Sequence, residues 1–238
     1  MNRKLQFSLV AACALFTGSA ARAVSINFDS VPGGVPSDGE AISTQYQASD
    51  GVTFGTADGG TPRLAEVGSP VTAFMSKFGQ DTPAPGQNLG NFFLTAGTPL
   101  GPPPPPVLVN FVNPVASVGG DILDIDGKTA GAESWRVDAL NSSGLMIDSV
   151  TLTQTSAGAG DGMATPFAIS HTSADISSLE ITFTGSKTTG VGLGFDNFTA
   201  SATPAPGAAV PLPPAVWSAG ATLLALGGIA RLRRTRPF

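Results

Sequence analysis

Residues 134–154 read Ser-Trp-Arg-Val-Asp-Ala-Leu-Asn-Ser-Ser-Gly-Leu-Met-Ile-Asp-Ser-Val-Thr-Leu-Thr-Gln. Trp135, Val137 and Ala139 alternate with Arg136 and Asp138, the two-residue period of a strand with one dry and one wet face. The turn Asn141-Ser-Ser-Gly144 follows, and Leu145 to Gln154 is a long β-rich run after it. The pattern repeats outward in both directions. Ser25 to Asp29 alternates around Ile26 and Phe28, and Gly51 to Phe54, Val107 to Val112 and Val115 to Ile125 are further short runs. Leu179, Ile181 and Phe183 alternate with Glu180, Thr182 and Thr184, Ile169 sits in another predicted strand, and Val191 to Ser201 closes the series. Thirty glycines and twenty prolines argue against long helices. The spacing predicts an all-β, antiparallel β-sandwich over residues 24–201, with helices only in the two terminal segments.

Two stretches, Thr56 to Pro70 and Lys77 to Gly90, read as irregular, being rich in Gly, Pro, Asp and Gln. The run Pro102 to Pro106 reads as a stiff polyproline surface loop leading into a strand at Val107. Residues 202–209, with Thr203-Pro-Ala-Pro-Gly207, read as a linker.

The ends differ from the body. Arg3 and Lys4 precede a mostly apolar run, Leu5 to Phe16, and Ala21-Arg-Ala23 offers the small residues a signal peptidase reads. Residues 1–23 are therefore expected to be a signal helix, cleaved after Ala23. The alternatives are an uncleaved anchor, or lipidation of Cys13 in Val10-Ala-Ala-Cys13. At the other end, Val210-Pro211-Leu212-Pro213 precedes Ala215 to Ala230, which carries no charge. As a helix those residues would span about 24 Å, somewhat less than a ~30 Å hydrocarbon core. Trp217 lies near one edge, and Arg231, Arg233, Arg234 and Arg236 follow as a cytoplasmic stop. The reading is a transmembrane helix at about 215–230.

This tail, residues 210–238, resembles a PEP-CTERM sorting domain: a proline motif, a short helix rich in Gly and Leu, and terminal arginines. Pro211-Leu212-Pro213 stands in place of the usual Pro-Glu-Pro. The resemblance implies a Gram-negative host that makes exopolysaccharide, transient anchoring in the inner membrane, and an exosortase-type transpeptidase as processing partner. The destination would be the cell surface or the extracellular matrix.

The ends also distort the charge. All seventeen acidic residues fall within 24–201 together with only Arg63, Lys77, Lys128, Arg136 and Lys187, so the body carries −12 while the whole chain carries −5. Such a body repels phosphate backbones and argues against nucleic acid as a partner. The single cysteine lies in the signal segment and His171 is the single histidine, which excludes disulfides, thiolate metal sites and multi-histidine zinc sites within one chain.

The body carries a looser resemblance. Ile26-Asn-Phe-Asp29, Tyr46, Gly51-Val-Thr-Phe54, Phe111 to Val118 and Gly194-Phe-Asp-Asn-Phe198 are similar to exported jelly-roll domains, the galactose-binding-like sandwiches that include many carbohydrate-binding modules. In those modules the first and last strands are neighbours. The resemblance implies that Asp29 and Asp196 hold a structural Ca²⁺ with backbone carbonyls, as an ion needing six to eight oxygens requires; otherwise both are exposed strand-end residues.

The remaining candidates read more blandly. Asp121, Asp124, Asp126 and Gly127 hold a fragment of an EF-hand spacing, explained more simply by a strand entering an Asp-Gly turn with Asp124 and Asp126 on one solvated face. Trp135 and Tyr46 could stack on sugars, but Trp135 shares a face with core residues. Glu40, Glu66, Glu133 and Glu180 sit in unrelated contexts, and no Gly-x-Ser-x-Gly elbow accompanies His171, so no catalytic set is identified. The expected function is a non-catalytic, membrane-sorted surface or matrix protein associated with exopolysaccharide. The alternatives are a secreted polysaccharide hydrolase or lyase using Asp or Glu, and a spacer or adhesin without a small ligand.

Overall fold

The computed structural model describes residues 23–203, apart from 69–74, 77–78, 81–82, 88, 98–100, 129–130, 161 and 192. The segments expected to be the signal helix (with Ala21), the linker from 204, the sorting motif Val210–Pro213, the helix at 215–230 and the four terminal arginines lie outside the described residues. Ala23 is described, and is exposed. No helix among the described residues is long and apolar enough to cross a membrane.

The strands follow in order: β1 (Val24–Ile26), β2 (Val52–Thr56), β3 (Arg63–Glu66), the small hairpin β4 (Met75–Ser76) and β5 (Gly79–Gln80), β6 (Phe92–Ala96), β7 (Val107–Val115), and β8 (Ser117–Leu123). Then come the hairpin β9 (Gly127–Lys128) and β10 (Gly131–Ala132), β11 (Ser134–Leu140), β12 (Met146–Thr153), β13 (Ala164–Ser170), β14 (Ile176–Phe183) and β15 (Leu193–Ser201). A single helical turn, α1 (Gln47–Asp50), precedes β2 and ends on Gly51 in the left-handed region.

Two antiparallel sheets form the body. One has the order β13-β8-β15-β6-β3, with β1 also on β15; the other is β12-β11-β14-β7-β2. The chain passes repeatedly from one sheet to the other, so each inner face supplies half of the core. The period-two reading holds for the dry face, where Trp135, Val137 and Ala139 are buried and Leu179 and Ile181 pair beside Ala139 and Val137. On the other face Arg136 reaches solvent, but Asp138 is buried, held by Arg136 and the Ser149 hydroxyl. At the centre Phe28, Tyr46, Phe54, Phe195 and Phe198 interlock, their ring centroids 5.6–6.3 Å apart.

Besides the short hairpins β4-β5 and β9-β10, two strands of the main sheet were not anticipated. β3 lies within the stretch expected to be irregular, and β6 lies in a segment given no assignment. Both lack alternation because both of their faces are covered: Leu64 and Leu94 enter the main core, while Ala65 and Phe93 join Leu89 and Leu123 in a second cluster on the outer side of the sheet. The expectation for Asp124 and Asp126 is also corrected. β8 ends at Leu123, Asp124 turns left-handed, and the two carboxylates go to different partners rather than sharing a solvated face.

Candidate functional site

The last strand carries the feature of most chemical interest. β1 and β6 lie end to end along the same edge of β15, pairing with Phe198–Ala200 and Leu193–Phe195 respectively. First and last strands are therefore neighbours, as expected. The seam between β1 and β6 falls opposite an irregularity in β15, where the register with β8 shifts between Asp196 and Thr199. Asn197 adopts a left-handed backbone there (φ 50°), a conformation Asn tolerates better than most residues.

Asp29 closes the seam. Its Oδ1 accepts the backbone N–H groups of Asn91 (2.6 Å) and Phe92 (3.1 Å), tying the end of β1 to the start of β6. The close approach requires Gly90, because a Cβ there would overlap the Asp29 carboxylate. Across the seam Asp196 is 1 % exposed. Its Oδ1 accepts the N–H of Asn197 (2.7 Å), while its Oδ2 is buried with no hydrogen-bond partner among the described residues. Asp121, directly opposite Asp196 on β8, accepts the Asn197 Nδ2 (2.8 Å). Burial, reinforced by the charges of Asp29 and Asp121, pushes the Asp196 carboxyl up to about 8. The structure thus brings Asp29 and Asp196 to one seam and adds Asp121, which the sequence had grouped with Asp124 and Asp126. The donors are oxygens only, which suits a hard cation. Among the described residues no three His, Cys, Asp or Glu side chains converge to hold a metal by themselves, so an ion on Asp196 would draw its other ligands from backbone carbonyls and water.

Beyond the seam no described residue covers the outer face of the same sheet. A concavity of about 550 Å³ is floored by Gly119 and Ala168 and flanked by Ser25, Thr199, Ser117 and Ser170, with Asp121 and Asn197 at one end. Alternation puts these small residues outward while Val118, Phe167, Ile169 and Phe198 point into the core. Toward β3 and β6 this face is instead capped by Leu89 and its cluster, so Asp121 stands at the border between the capped and the bare halves.

The other titratable candidates are committed to the fold. Glu133, 3 % exposed, receives the Lys187 ammonium at 2.7 Å and the N–H of Asp126 at 3.4 Å. Burial pushes Glu133 up to about 7, more than Lys187 draws it down. Burial alone would lower Lys187, but Glu133 and Asp126 together hold it above its ordinary value. His171 lies between Asp175 (2.8 Å) and Asp148 (3.4 Å), linking β12 to the approach to β14. Asp124 Oδ1 accepts the N–H of Gly162 at 2.7 Å. Trp135 is 1 % exposed and packs edge-on against Phe183, so it belongs to the core and offers no sugar platform. Tyr46 is also buried, its hydroxyl donating to the Ser30 carbonyl at 2.6 Å. The role of Asp121 was not legible as chemistry in the sequence; the one available signal was that strand pairing of β8 with the last strand would set two carboxylates opposite each other.

No family model matches the chain, and no curated protein matches it. Similar solved structures include the enzymatically active domain of tailspike protein 4 of bacteriophage CBA120, at 10% identity and TM-score 0.35, over 68% of this chain and 20% of that one. Another is the CBM22-1–GH10 portion of Clostridium thermocellum endo-1,4-β-D-xylanase 10B complexed with xylohexaose, at 13% identity and TM-score 0.36, over 74% of this chain and 29% of that one. The chain thus spans less than a third of the length of either protein.

Proposed function

We propose that this chain delivers a non-catalytic β-sandwich to the cell surface or extracellular matrix of an exopolysaccharide-producing Gram-negative bacterium. The sorting tail anchors the precursor, an exosortase-type enzyme processes it near Pro211–Pro213, and the sandwich then makes weak contacts with glycan. One observation carries the reading of the body: Glu133, His171 and Asp124 lie away from the trough and are each tied into the fold, whereas the outer face of the β13-β8-β15 sheet carries the trough itself, with the Asp121–Asn197 pair at one end. That face is an open trough lined by small residues, which suits contact with an extended polymer better than enclosure of a scissile bond.

The seam is the second part of the proposal. Asp196 Oδ2 and Asp29 hold Ca²⁺ with neighbouring carbonyls, and the ion locks β1 and β6 onto β15. An orphaned buried carboxylate oxygen supports this, because leaving it without donor or cation is costly. A glycan array probed with the full-length chain, with and without chelator, tests both parts. Binding to matrix-type glycans that weakens on chelation is the expected result. Failure to bind any glycan in either condition would overturn the glycan role. Intact-mass analysis of the mature protein from its native host checks processing: a mass retaining residues 214–238 would refute cleavage at the proline motif.

A further inference from the structure

We propose that the bare trough on the β1-β15-β8-β13 face selects a polysaccharide strand carrying free amino groups, in preference to neutral or uronate-bearing strands. This rests on the glycan-contact reading above and narrows it to one chemical class.

Three features converge on that class. The first is shape. The outward row Ser25, Thr199, Gly119 and Ala168 crosses four paired strands, about 14 Å at the usual inter-strand spacing. Gly119 makes the floor: a Cβ there would come within 3.0 Å of the Thr199 hydroxyl and 3.2 Å of the Phe167 carbonyl. Pro166 and Ala168 occupy the edge strand β13, where proline is compatible with sheet pairing and no large side chain closes the trough.

The second is the lack of a stacking platform. Phe167 is the one aromatic in the lining, and it is 5 % exposed with its ring turned inward against Phe195. Small side chains and backbone make the lining mostly apolar, so what can select a sugar here is the charge of Asp121 rather than ring stacking.

The third is charge. The lining carries Asp121 and no basic residue. Arg63 lies on β3, beyond β15 and β6, while Arg136 and Lys187 are paired with Asp138 and with Glu133 elsewhere. Asp196 and Asp29 belong to the neighbouring seam and do not line the trough, so the charge offered to a ligand is that of Asp121. With the body at −12, uronates are repelled, and an ammonium placed at Asp121 finds a carboxylate already oriented by Asn197.

The test measures binding of the full-length chain, in detergent, to a glucosamine hexamer, an N-acetylglucosamine hexamer and an oligogalacturonate at low and moderate salt. The expected order is glucosamine first by roughly tenfold, the acetylated form weaker, the uronate undetectable, with the preference shrinking as salt rises. Asp121→Asn should bring glucosamine down to the level of the acetylated hexamer. Ala168→Arg, an exposed change on the edge strand, should weaken both. Asp148→Asn removes the same charge from the opposite sheet and should leave the preference intact. Equal binding of the amino and acetylated hexamers, or equal loss of preference in Asp148→Asn, overturns this inference and leaves the glycan role standing. Binding of no hexamer overturns both, as does a trough found covered by a second copy of the chain, shown by a concentration-dependent dimer that Ala168→Arg dissociates.

Discussion

Glu133 and Asp196 are both almost wholly buried carboxyls, at 3 % and 1 % exposure, yet their surroundings are opposite. Glu133 precedes β11 and faces Lys187, with Asp126 completing a triad. Asp196 lies in β15 among other acids, and one of its oxygens has no donor. The first is a finished interaction, where a partner that offsets part of the burial is encoded in the same chain. The second is unfinished, and its missing partner must be a proton or a cation from outside. A buried acid is therefore informative mainly through what faces it, since the cost of desolvation is similar in both places.

Removing the partner from the finished site should have the largest effect. Lys187→Met strands Glu133 and is expected to cost about 3 kcal/mol, read by urea denaturation of the full-length chain at pH 8. The loss should shrink at pH 5, where Glu133 is protonated; an equal loss at both values would mean that the pair is not ionic.

Supplying the partner to the unfinished site comes next. Calcium at a hundredfold its dissociation constant should stabilise the protein by about 2.7 kcal/mol. Asp196→Asn and Asp29→Asn should abolish that response while Lys187→Met keeps it. A calcium response that persists in Asp196→Asn would place the ion elsewhere.

The pH dependence isolates the finished site from another side. The folded state holds the Glu133 proton more tightly than the unfolded chain does, about 7 against an ordinary 4.5. Its contribution is thus fully present below about pH 4.5 and is lost as pH rises toward 7, a fall on the order of 2 kcal/mol. Glu133→Gln should remove that part of the slope, and the difference between the two stability curves measures it. Superimposable curves would show that Glu133 titrates alike in both states.

The smallest effect is expected from Arg136→Ala. Arg136 is half exposed, and Asp138 keeps the Ser149 hydroxyl at 2.8 Å, so a loss of about 0.5 kcal/mol is expected in the same denaturation assay. A loss near that of Lys187→Met would mean that pairing, rather than burial, sets the difference between these acids.

Legibility followed coverage. β11 and β14 could be read because their periodicity matches the sandwich: Trp135 and Val137 lie inside while Arg136 reaches solvent, whereas β12 was legible from its β-rich composition after a turn. β3 and β6 could not, because a second layer built on Leu89 erases the alternation that marks a strand. Asp29 and Asp196 were paired through a resemblance and do meet at one seam. Asp121 was read with its sequence neighbours, whereas its partner, Asn197, is 76 residues away.

The sequence by itself determined that residues 24–201 are strand-rich, acidic and free of cysteine, because period, charge and composition are properties of local order and simple sums. Which carboxylates meet was decided only by tertiary structure. Cross-strand register joins residues far apart in the chain, and a single irregularity in β15 sets which of them acquire partners and which are buried without one.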